Sequence, residues 1–84
     1  MNYKKVENKL KELGYKKGVD NYTFHKMIKG FTLLITVHPT MLILINPVVS
    51  VDRDIREQGD VDNLQIALNW LKNDVKKIKE FIND

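Results

Sequence analysis

The stretch Tyr22-Thr23-Phe24-His25-Lys26-Met27-Ile28-Lys29-Gly30-Phe31-Thr32-Leu33-Leu34-Ile35-Thr36-Val37-His38 reads as a β-hairpin. Lys29-Gly30 makes a two-residue turn, with glycine supplying the positive φ that such turns need. Antiparallel pairing across it sets Ile28 against Phe31, Lys26 against Leu33, Phe24 against Ile35 and Tyr22 against Val37 on one face. The other face receives Met27 with Thr32, His25 with Leu34, Thr23 with Thr36 and Asn21 with His38. This register collects nearly all the aromatic and branched apolar side chains on one side, and a slip of one residue would reverse every position. Lys26 is the exception on that side. It predicts an edge strand or a lysine that carries its ammonium to water.

C-terminal to the hairpin, Pro39-Thr40 predicts a turn, and Met41-Leu42-Ile43-Leu44-Ile45 reads as a strand buried on both faces. Asn46-Pro47 interrupts the run. Val48–Val51 can then add a fourth strand, since Pro47 is tolerated at a strand start. Residues 52–59 form a charged loop. N-terminal to the hairpin, Tyr3, Val6, Leu10 and Leu13 share one helix face, with Gly14 at the left-handed stop position. Residues 16–21 then read as a turn. The longest pattern is Leu64, Leu68, Leu71, Val75, Ile78 and Ile82, a sustained apolar helix stripe. Asp62 followed by Gln65 predicts its cap, with Asp60 as the alternative.

These elements predict a single α+β domain over residues 1–84 with no linker. Its expected architecture is two-layer, α-β-β-β-(β)-α, with two antiparallel helices packed on one face of a three- or four-stranded antiparallel sheet. The 84 residues include 43% hydrophobic positions, enough for a packed core. The net charge of +3 divides unevenly: +5 over residues 1–30, −2 over 31–60 and zero over 61–84. Residues 31–51 are apolar but broken by His38, Pro39, Asn46 and Pro47, which argues against a membrane span. The first residues lack the apolar core of a signal peptide, and the chain has no cysteine, so a cytoplasmic protein is expected.

The absence of cysteine also excludes disulfides, thiolate metal sites and a thiol nucleophile. His25 and His38 are too few for a metal site, which needs three or four converging ligands. Residues 52–62 hold five carboxylates, but an EF-hand starting at Asp52 fails at Arg56, Glu57 and Asn63. The one serine, Ser50, has no histidine near it in sequence, and the four glycines are too scattered for a phosphate loop. The sequence therefore predicts no catalytic residue, no cofactor and no metal, and a protein that is not an enzyme.

The element order is similar to that of double-stranded-RNA-binding domains. Those domains place a basic cluster at the start of the last helix and a Gly-Pro-x-His loop between the first two strands. Here the last helix opens on Asp60-Val61-Asp62-Asn63, and His38-Pro39 follows the second strand, so the resemblance stops at element order. Lys4, Lys5, Lys9, Lys16 and Lys17 are the candidate phosphate contacts of a weak nucleic-acid binder.

The leading expectation comes from the sheet. Two helices can cover only one side, leaving His25, Met27, Leu34 and Thr36 on the other. Beside them lie either Met41, Ile43 and Ile45 or Leu42 and Leu44, according to the Pro39-Thr40 turn. An apolar patch of that kind marks an interaction surface. The predicted partner-binding residues are His25, Met27, Leu34, Thr36, Ile43, Ile45 and Trp70. A protein partner or a homodimer would occupy them, unless residues 48–55 fold back over the patch. Trp70 has two readings, a core side chain or an anchor facing the partner. A small regulator or inhibitor would work this way, and the Lys- and Asn-rich composition suits an AT-rich bacterial or viral source.

Overall fold

Hydrophobic sorting across one hairpin organises the fold in the computed structural model, which describes residues 3–20, 22–38, 44–51 and 54–83. Helix α1 spans Tyr3–Glu12, followed by strands β1 (Lys16–Lys17), β2 (Thr23–Ile28), β3 (Phe31–His38) and β4 (Leu44–Ser50), then helix α2 (Gln58–Asn83). The strands form one antiparallel sheet in the order β1-β2-β3-β4. Both helices pack on the same face, giving a two-layer α+β domain.

The β2–β3 register is the one the hairpin pattern predicts, from Thr23 opposite Thr36 to Ile28 opposite Phe31. Phe24, Phe31, Leu33, Ile35 and Val37 are fully buried beneath the helices. Tyr22 shares their row but stays 47% exposed at the open end of the hairpin. The turn has positive φ at both positions, 54° at Lys29 and 83° at Gly30. A lysine in that region is strained where asparagine is tolerated. Lys29→Asn is therefore expected to stabilise the domain by about 0.5–1 kcal/mol, read from its urea midpoint at constant m-value.

Four local expectations change. Lys16–Lys17 forms a short edge strand against Phe24 and His25 instead of lying in a turn. The turn begins after it, organised by the Asp20 carboxylate, which accepts the backbone N–H groups of Tyr22 and Thr23 at 3.0 and 2.9 Å. Second, residues 44–50 are one strand, not two separated at Pro47. Because β4 ends the sheet, a residue without an N–H can sit inside it. Pro39 to Ile43, with the predicted turn and the start of the apolar run, lie outside the described residues.

Third, α2 begins at Gln58, ahead of both expected caps. The Glu57 carbonyl accepts from the N–H groups of Asp60 and Val61 at 3.0 and 3.2 Å. The Asp60 carboxylate reaches back to the N–H groups of Arg56 and Glu57, at 3.4 Å each. Asp60 thus plays the third-position half of a capping box, while Asp62 accepts from the Gln58 side-chain amide at 3.0 Å. Fourth, the buried face of α2 is centred on Ala67, Leu71, Asp74 and Ile78, with Leu64, Val75 and Ile82 at its margins. Leu68, one-quarter turn round from Ala67, is 43% exposed.

Helix α1 buries Val6 and Leu10 against the same core, and Gly14 ends it with φ 96°. The helices are antiparallel: Tyr15, just past α1, bonds Asp74, while Lys9, earlier in α1, lies over the Phe81 ring. Glu7, although charged, is buried beside Val6 on α1.

Candidate functional site

The face of the sheet opposite the helices can be built row by row from the register. Its middle row runs Lys16, His25, Leu34, Val48 across β1 to β4. One neighbouring row is Met27, Thr32, Ser50, and the other is Thr23, Thr36, with Asn46 as the backbone partner of Thr36. Met27 is 65% exposed and Val48 46%, while His25, Leu34, Thr32 and Thr36 are half-buried by their own neighbours. Among the described residues no helix or further strand lies over this face. Of the described residues that follow β4, Ile55 packs against the core on the helix side.

The predicted surface is thereby partly assembled. His25, Met27, Leu34 and Thr36 share the bare face. Ile43 lies outside the described residues. Ile45 pairs with Val37, so its register position belongs to a row of the covered face, and Leu44, opposite His38, takes the bare-face row. That parity follows from β4 continuing without a break through Pro47. Trp70 stands on α2, in the other layer, and cannot contribute to the sheet's bare face. It is 45% exposed, with the Lys26 ammonium 4.9 Å from its ring centre. Thr32, which the hairpin register already sets on this face, belongs to the surface, and Val48 and Ser50 join it; extending the strict alternation of β3 across to β4 would have found those two.

The face mixes three apolar side chains, Met27, Leu34 and Val48, with hydroxyls, a histidine and Lys16. Ser50 and His25 lie two strands apart, about 10 Å, beyond hydrogen-bond reach. Among the described residues no three His, Asp or Glu side chains gather where a metal could bind. No helix among them is long and apolar enough to cross a membrane.

The candidate phosphate-binding lysines do not converge. Buried Glu7 collects Lys17 at 3.1 Å, Lys11 at 3.3 Å and Lys4 at 3.8 Å. Hydrogen bonding from Lys17, reinforced by Lys11, holds the Glu7 carboxyl below its ordinary range despite the opposing effect of burial. Lys9 sits 3.7 Å from Glu12 and over Phe81, with Lys5 lining the same shallow groove. Lys16 belongs to the bare-face row of the sheet. These cations therefore face in at least three directions, and several are already balanced by carboxylates.

One polar cluster went unforeseen. Beneath α2, the Lys26 ammonium donates to the Leu13 carbonyl at 2.8 Å and to Asp74 at 3.2 Å. Asp74, 1% exposed, also accepts the Tyr15 hydroxyl at 2.8 Å. The Lys26 ammonium also lies 5.1 Å from the Tyr15 ring centre. Burial and then the bond to Asp74 push the Tyr15 phenol far above its ordinary value, so it stays a donor. Lys26 thus satisfies neither sequence expectation fully. β1 pairs only with residues 24 and 25 of β2, leaving Lys26 beyond it, but the ammonium turns inward to an ion pair. Every buried side-chain polar atom among the described residues has a partner, so this cluster is a fastening between β2, α2 and the end of α1.

Comparison with protein-family models, curated proteins and solved structures returns no match.

Proposed function

We propose that this protein is a non-catalytic binding module that receives a protein partner on the bare face of its sheet. The observation supporting this reading is that both helices lie on one side, leaving a four-stranded surface with Leu34 at its centre and exposed Met27 and Val48 beside it. Sheets with one solvated face alternate apolar inward and polar outward. Here the outward positions include three apolar side chains in adjoining rows, ringed by Lys16, Thr23, Thr32, Thr36, Ser50 and His25. An aliphatic centre inside a polar rim is the usual anatomy of a protein contact surface. By covering such a surface on another protein, a domain of this size acts as a small regulator or inhibitor.

The test is photo-crosslinking in the cells that make the protein. A photoreactive residue at Met27 is expected to give an adduct of one defined mass, lost when Val48→Arg is added. The same residue at Lys77, on an exposed face of α2 away from β4, is expected to give none. No adduct from position 27, or the same adduct from position 77, would overturn the reading.

A further inference from the structure

The sheet treats its two edges differently, and the difference bears on self-association. An open edge is a row of unpaired backbone donors and acceptors, usually guarded by shortness or by charge. β1 has both guards: it is two residues long, and both are exposed lysines. β4 has neither. It runs seven residues, Leu44–Ser50, and no charged side chain occurs from Leu44 to Val51. Among the described residues nothing pairs with its outer side, since the sheet order ends there. Pro47 removes one N–H from this strand and leaves every other backbone group.

From this asymmetry we infer that β4 pairs with β4 of a second copy, antiparallel across a twofold axis, to make a continuous eight-stranded sheet. A twofold contact needs only one self-complementary segment, and a neutral strand meets its own copy without like-charge repulsion. The β1 edge would meet that repulsion at Lys16, while Lys17 is held by Glu7. The layer above the edge suits the same contact. Exposed Leu68, with Pro47, Leu71 and Val75, lines a shallow apolar groove between α2 and β4, rimmed by Gln65 and Lys72. The twofold axis brings this groove toward its copy, so backbone pairing below is accompanied by aliphatic contact above. The assembly joins two bare faces into one surface, but it rests on the edge alone and stands whether or not that face binds a partner.

Sedimentation equilibrium of the wild-type protein reads the oligomer directly, and a dimer at micromolar concentration is expected. The chain lacks cysteine, so single substitutions then locate the contact. Asn46→Cys, Val48→Cys and Ser50→Cys sample β4, with Met27→Cys on the bare face and Lys16→Cys on the other edge as controls. A disulfide requires the two β-carbons to approach within about 4.5 Å, so mild oxidation should link at least one β4 variant about tenfold faster than either control. A monomer throughout the concentration range would overturn the inference. So would a dimer that links fastest at Met27→Cys or Lys16→Cys, or at no β4 position.

Discussion

Asp74→Ala is expected to lower the free energy of unfolding by about 3–5 kcal/mol, the cost of leaving one half of a buried ion pair behind. The Lys26 side chain is only 14% exposed, so without Asp74 its charge would keep the Leu13 carbonyl and two aromatic rings as company. The buried Tyr15 hydroxyl would lose its acceptor as well. Domains of this length hold roughly 4–13 kcal/mol in all, so the variant would lose between about a quarter and all of its margin. The paired replacement Lys26→Met with Asp74→Leu, combined with Tyr15→Phe, removes every polar group of the cluster and should restore most of the loss. Urea unfolding monitored by circular dichroism measures both. A single-variant cost below about 1 kcal/mol would mean that the pair is solvated and not buried.

Phe24→Ala should cost a comparable 3–5 kcal/mol or so, through lost burial and the cavity left behind. Phe24 is fully buried on β2, in the row that joins Lys17, Ile35 and Pro47. Three residues along the same strand, Met27 points to the other side and is 65% exposed, so Met27→Ala should stay within about 0.5 kcal/mol of the wild type. The contrast tests the side on which the helices lie. A register displaced by one residue would exchange the two results.

The hairpin was legible because its determinants are local. Lys29-Gly30 closes a two-residue loop, the loop sets the register, and alternation decides which side is apolar. Helix α1 and the body of α2 were legible for a similar reason, their apolar residues recurring with the helical period. Lys16–Lys17 was not, since two exposed lysines carry no strand pattern and are extended only because β2 lies beside them. The centre of the α2 stripe was also hidden. Ala67 and Leu68 are both apolar, and the seating of the helix on the sheet decides that the smaller one is buried. Of the candidate surface, the part on β2 and β3 followed from the hairpin. Its extension to Val48 depended on β4 continuing through Pro47, whereas Trp70, on a helix expected in the other layer, is separated from the bare face by the layering that the sequence itself predicts.

Chain order, helix period and strand alternation by themselves determined an α+β domain with a one-sided core and the pairing of residues 23–28 with 31–36. Those properties arise between neighbours a few residues apart, where backbone geometry leaves few choices. Only the tertiary structure decided that Lys26 meets Asp74 across 48 positions, that Glu7 is enclosed by lysines from two elements, and that β4 comes last in the sheet among the described residues. Each depends on elements packing at a particular depth and rotation, and burial, which turns a polar residue into a constrained one, exists only after that packing has formed.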